Sequence, residues 1–130
     1  VGVASTIFNN SSLNYTVGSA GGYNFQGTGA FLKTGSGLVA INTLGNTSGA
    51  VTVSGGTLNG SGSIAGTSFA LEAGTIGLSL VGSGGLTKDT AGMGTVNGAN
   101  TYTGSTTLNA VTLNLNSAGA IGNSTTGGIV

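Results

Sequence analysis

"GSGGLTKDTAGMGTVNGANTYTGSTTLNAVTLNLN", residues 82–116, falls without a gap on "GTGAFLKTGSGLVAINTLGNTSGAVTVSGGTLNGS", residues 27–61, when the chain is slid along itself until Gly82 meets Gly27. Ten positions are then identical: Gly27/Gly82, Gly29/Gly84, Lys33/Lys88, Gly37/Gly92, Asn42/Asn97, Gly49/Gly104, Thr52/Thr107, Thr57/Thr112, Leu58/Leu113 and Asn59/Asn114. The Lys match carries most weight, because these two are the only basic residues of the chain. Apolar residues also align without identity: Phe31 with Leu86, Leu38 with Met93, Ile41 with Val96, Val53 with Leu108. A long internal period of this kind is the mark of a stacked-repeat architecture.

Within each copy the apolar residues come in short beats divided by Gly-rich turns. In "VTLNL" Val111, Leu113 and Leu115 share one face and Thr112 and Asn114 the other; in "TIGLSL" Ile76, Leu78 and Leu80 align in the same way. Such alternation is the period of strands, and no window carries a helical period. The chain therefore reads as all-β. Its strands are shorter than those of a sandwich and its aromatic content is 5%, so a right-handed parallel β-solenoid is expected over residues 1–130 as one domain, with a β-sandwich as the alternative. At about 20 to 25 residues per coil, the internal repeat spans two or three coils. Leu58, Leu113, Ile76, Leu78 and Val111 are the expected core, an aliphatic one.

Composition narrows the function. The 130 residues are 38% hydrophobic with a mean hydropathy of +0.36, enough to build a core. Only 3% are charged, against roughly 25% in ordinary globular proteins. The four charges are Lys33, Glu72, Lys88 and Asp89, and they cancel. A chain without net charge has no long-range repulsion and tends to associate. No Cys and no His are present, which removes disulfides, thiolate metal sites and the commonest general base. Two Lys cannot build the basic patch that nucleic acid requires. No run reaches the roughly 20 apolar residues of a membrane helix, and the few aromatics do not supply the girdles of a membrane barrel.

The lysine turn "GSGGLTK" (82–88) together with "GANTYTGSTTLNAVTLNLNSAGAIG" (98–122) resembles the autotransporter-associated β-strand repeat of secreted bacterial passenger domains. The copy at 27–61 is degenerate: "GAFLKTGSG" keeps the Lys turn, while "TLGNTSG" stands where "GANTYTG" would be. Residues 5–17, "STIFNNSSLNYTV", are similar to the strand and Asn-rich turn that precede such repeats. The resemblance implies a β-solenoid, export to the bacterial cell surface or beyond it, and a role in adhesion or scaffolding. The chain departs from a whole autotransporter in having no translocator barrel and no terminal aromatic.

Candidate sites are few. Glu72 and Asp89 are the only carboxylates available for acid–base work, and Asp89 is also explained by a turn. Neither Lys sits in a Ser-x-x-Lys sequence. Their equivalent positions suit bonds to turn carbonyls; a Lys–Asn crosslink would show as a mass lower by one ammonia. Tyr15, Tyr23 and Tyr102 are candidates for a sugar-stacking surface, against the ordinary reading of half-buried rings whose hydroxyls meet water or a backbone partner. Asn9, Asn10, Asn14, Asn46, Asn59 and Asn123 begin Asn-x-Ser/Thr triplets. No catalytic, cofactor or metal residue is assigned, and no cofactor is expected. The expected function is that of a non-enzymatic structural module, extracellular, with further copies of itself as partner. The uncharged stretches "VGVASTIF" and "NSTTGGIV", the latter including Ile129 and Val130, offer ends open to strand pairing. Surface glycans are the alternative partner.

Overall fold

A computed structural model describes residues 2–18, 21–109 and 112–122. Fifteen short strands occur among them: β1 (Thr6–Asn9), β2 (Tyr15–Val17), β3 (Phe31–Thr34), β4 (Leu38–Ile41), β5 (Asn46–Thr47), β6 (Ala50–Val53), β7 (Thr57–Asn59), β8 (Ser63–Ala65), β9 (Ser68–Leu71), β10 (Gly74–Ile76), β11 (Ser79–Val81), β12 (Leu86–Lys88), β13 (Gly94–Val96), β14 (Thr106–Leu108) and β15 (Leu113–Leu115). They form a first sheet in the order β1-β3-β6-β9-β12-β14, a second in the order β2-β4-β7-β10-β13-β15, and a third of β5-β8-β11. Every strand pair is parallel. Parallel neighbours need a long crossover between them, and here the crossover is the rest of the coil. The molecule is a β-solenoid, and the sandwich alternative falls with the absence of antiparallel pairs among the described residues.

Register gives the path from rung to rung. In the first sheet Thr6 pairs with Phe31, Phe31 with Val51, Val51 with Phe69, Phe69 with Leu86 and Leu86 with Thr106. The rungs are unequal, longest at the start of the chain and shortest in the middle. Three of them carry Phe31 to Leu86, so the internal repeat is three rungs long and the alignment of these two residues is correct. In the second sheet the corresponding path runs Val39, Leu58, Ile76, Val96, which is longer than the path from Phe31 to Leu86. The equivalent of Val96 is therefore Val39, not Ile41, and that of Leu58 is Leu115, not Leu113. The gapless alignment holds in the first sheet and slips by two in the second.

Inward residues stack in columns. Leu58, Ile76 and Leu78 are fully buried, as expected, and so is Leu80. Ile76 and Leu80 belong to different strands, with Gly77 and Leu78 turning the corner between them; the alternation that reads as one strand continues through a bend. Leu113 is half-buried and packs against the core from the last described rung, and Val111 lies outside the described residues. The core is also not purely aliphatic: Tyr102, Phe31, Lys33, Phe69 and Lys88 are its largest fully buried side chains. Phe8 and Phe25 flank Phe31 with centroids 5.7 and 6.0 Å away.

Several glycines allow the rungs to approach. A Cβ on Gly104 would lie 2.4 Å from the backbone nitrogen of Gly85 on the preceding rung, a distance only hydrogen can fill. Burial predicts a gradient along the stack. Leu58→Ala should cost about 2–5 kcal/mol, the range for a fully enclosed Leu, and Leu113→Ala less than half of whatever Leu58→Ala costs. Denaturant midpoints of the two variants check this; equal losses would overturn the burial assignment.

Candidate functional site

The two lysines sit where a hydrocarbon is expected. Lys33 and Lys88 lie at the ends of β3 and β12 and face inward, in register with Phe8 and Val53 and with Leu108. Both are wholly inaccessible to solvent. Their stems fill the column while the ammonium reaches the corner between the first and second sheets, where carbonyl oxygens converge. Lys33 Nζ donates to the carbonyls of Thr34 at 2.8 Å, Gly35 at 2.9 Å and Gly55 at 3.3 Å. Lys88 Nζ donates to the carbonyl of Glu72 at 3.1 Å, the Thr90 Oγ1 at 3.1 Å and the Thr90 carbonyl. Each ammonium thus ties its own turn to a turn on an adjacent rung. A Cβ on Gly56, whose φ is +67°, would stand 2.8 Å from Lys33 Nζ, so both conformation and space require glycine there. Burial lowers the Lys33 pKa below the ordinary lysine value, because the ammonium has lost water. The expectation that these lysines hold turn carbonyls is met, and no crosslink is needed to account for their burial.

Asparagine does the corresponding work on the third face. Asn46 is fully buried; its Oδ1 accepts the Phe25 N–H of the preceding rung at 3.1 Å and its Nδ2 donates to the Ser63 carbonyl of the following rung at 2.9 Å. Asn100 repeats this, taking the Leu80 N–H at 2.8 Å and donating to the Ala120 carbonyl at 2.6 Å. These two amides extend the ladder on either side of β5-β8-β11. Their equivalence is hidden in the gapless alignment, which sets Asn46 against Thr101. One gap in "TLGNTSG" reveals it.

Tyr102 drops out of the candidates for a sugar-stacking surface. It is fully buried, its ring 5.8 Å from Phe69, its hydroxyl 2.7 Å from Thr106 Oγ1. Thr106 occupies a column position held by Leu86 on the rung before; the smaller side chain leaves room for the ring and satisfies its hydroxyl. Tyr15 and Tyr23 stay exposed, at 46% and 79%. Glu72 follows β9 and Asp89 follows β12, at the same corner of consecutive rungs, Glu72 half-buried and Asp89 exposed. The Lys88 ammonium at that corner is turned inward and engaged by carbonyls and a hydroxyl. Asn10 and Asn46 are buried and closed to glycosylation, while Asn123, Ile129 and Val130 fall outside the described residues.

The first rung carries an open surface. A shallow cavity of about 190 Å³ is lined by Asn9, Asn10, Ser11, Ser12, Leu13 and Tyr15. Tyr15 also heads an inward column, Tyr15-Val39-Leu58-Ile76-Val96-Leu115, traced by strand register. The four inner members are at 0% exposure; Tyr15 is at 46% and Leu115 at 42%. Exposure of the end members follows from position, since no described strand covers β2 or β15 on its outer side. No family model, curated protein or solved structure matches the chain.

Two measurements test the corner assignments. Lys33→Met keeps the stem and strips the donor from three carbonyls, which should cost about 1–3 kcal/mol. Because the folded pKa of Lys33 is lowered, the unfolded chain binds the extra proton between the lowered and the ordinary value. The contribution of Lys33 should therefore rise with pH across that interval. Denaturant stability of wild type minus Lys33→Met, followed from neutral to alkaline pH, should increase; a decrease would mean that the carbonyl cage outweighs desolvation. Asn100→Ala orphans the Leu80 N–H and the Ala120 carbonyl and should likewise cost about 1–3 kcal/mol, seen as faster amide exchange at Leu80.

Proposed function

We propose that this chain is a non-enzymatic structural module of an exported bacterial surface protein, and that it associates end to end into an extracellular fibre or stalk. The observation that carries the reading is the column from Tyr15 to Leu115. Its two ends are apolar and half-exposed while its interior is sealed, so stacking the last rung of one copy on the first rung of another would bury both and continue the parallel ladders. Head-to-tail contacts of this kind produce open polymers when the rotation does not close. The near absence of charge supports it: the chain has no net charge with which to keep copies apart. The likeness of "GGLTK" and "GANTYTG" to the autotransporter-associated repeat supports an extracellular location. The buried lysines and Asn100 give those motifs an architectural task, and a chain without His, Cys or Arg offers Glu72 and Asp89 few partners for hydrolysis or elimination.

A second reading, an adhesin segment that binds host or matrix glycans, draws on the cavity beside Tyr15, where hydroxyl and amide groups lie next to an exposed ring. The two separate in one experiment. Tyr15→Lys places a charge on the first rung and Leu115→Lys on the last; both positions are exposed, so folding is retained. Wild type should grow in mass with concentration by light scattering, with little response to salt. Each variant alone should stay monomeric, and an equimolar mixture should give a heterodimer that grows no further. A wild type that stays monomeric at high concentration would sink the fibre reading in favour of the adhesin.

A further inference from the structure

Met93 is the sole sulfur-bearing residue of a chain without Cys, and it stands 63% exposed. The gapless alignment sets it against Leu38, but the column of Leu38 runs through Thr57 and Thr75 to Thr95. Met93 is left in the corner 89–93 between β12 and β13, which is longer than the corner 72–73 between β9 and β10. That corner folds over the Lys88 ammonium, which Thr90 receives with its carbonyl and its hydroxyl. Met93 ends the corner with contacts in both directions. Its carbonyl accepts the Gly74 N–H of the preceding rung at 3.1 Å, and its Sδ accepts an N–H of Asn114 Nδ2 on the following rung at 3.3 Å. One residue thus links the rungs on either side of its own, and the forward link is the weaker because a thioether is a poor acceptor.

We propose that Met93 is a modification site for peroxides, and that its sulfoxide takes a stronger hydrogen bond from Asn114, clamping β15 to the rung before it. A sulfur lone pair attacks one peroxide oxygen. The S–O bond forms as the O–O bond breaks, the electron pair of that bond leaves with hydroxide, and the proton of the transferred oxygen joins the hydroxide as water. Hydrogen peroxide is thereby reduced and the thioether oxidised. Exposure supplies the access, and so small a reagent needs no pocket. Oxidation of a core methionine disrupts packing by placing a polar group among hydrocarbons; at this corner the sulfur lies outside the core and already faces a donor. A sulfoxide oxygen carries far more negative charge than a thioether sulfur, so the same Asn114 N–H gains by the exchange. The sulfur becomes chiral on oxidation, and one of the two epimers turns its oxygen toward Asn114. The site belongs to the single chain and does not depend on the stacking of copies.

The Tyr15→Lys chain, changed at an exposed position on the far side of the stack, is labelled with ¹⁵N and treated with hydrogen peroxide. Mass spectrometry should place one added oxygen on Met93, and none on a chain that also carries Met93→Leu. In one sulfoxide epimer an Asn114 side-chain N–H proton should move downfield. The Asn116 backbone N–H donates to the Val96 carbonyl across the same two rungs, and its exchange in that epimer should slow about fivefold, the factor of one net hydrogen bond. Reduction by a methionine sulfoxide reductase specific for that epimer should restore the first spectrum and the first rate. With Asn114→Ala added, an exposed position whose change leaves the fold intact, oxidation should proceed and exchange at Asn116 should not slow. Failure to oxidise Met93 under peroxide that converts free methionine would overturn the proposal. So would an oxidised chain whose Asn114 N–H signals stay in place, faster exchange at Asn116, or equal slowing with and without the Asn114 amide.

Discussion

Backbone hydrogen bonding from rung to rung is the interaction on which the rest of this structure depends. The strands are very short and have no hairpin partner beside them, so no rung is stable by itself; it is satisfied only by the rungs before and after. That arrangement works easily along the sheets and poorly at corners, where carbonyls splay and the ladder breaks. A protein with a charged, well-hydrated surface would leave such groups to water. Here the corners are closed from inside, by two ammonium groups that each gather carbonyls from two rungs and by amides that donate forward and accept backward.

The same economy explains the odd composition. Lys33 and Lys88 are half of all the charges in the chain, and both are buried on carbonyls. Burying an unpaired ion is ordinarily severe, but several carbonyl dipoles aimed at one ammonium replace part of its hydration, and the flexible stem adds packing. Glycine completes the device by letting the backbone come close enough for those dipoles to converge, as at Gly56. The outer faces then carry Thr, Ser and Asn in place of charge, and nothing electrostatic opposes the approach of a second molecule.

The stack also makes the two ends chemically different from the middle. An inner rung has a neighbour on each side and its inward residues are sealed; an end rung of the described stack has one, so Tyr15 and Leu115 are exposed. In the proposed end-to-end reading, a rung that met these positions would continue the same parallel ladders.

Fold class is written in the pattern of the chain. A long internal period, strict alternation along each beat and the lack of any helical face lead to stacked parallel rungs, because burial of one side of every strand imposes those periods whatever the details. Register inside the second sheet is not legible: "LNLN" at 113–116 matches itself after a shift by two, so sequence alone does not tell Leu113 from Leu115 as the counterpart of Leu58, and only pairing across the sheet decides it. The lysine turn can be read as a shared position near carbonyls, but its complete burial cannot, since a lone Lys in a glycine-rich stretch looks like surface until the rung above closes over it. The complete burial of Tyr102 is not legible for the same reason: "NTYTG" is polar to either side, and the ring turns inward where Thr106, across a corner, receives its hydroxyl. Sequence determines which residues alternate along one rung. What stacks on them is a property of neighbours a whole coil away, and insertions at the corners change that distance from rung to rung, so the partners of Lys33, Asn46 and Asn100 exist only once the coil has closed.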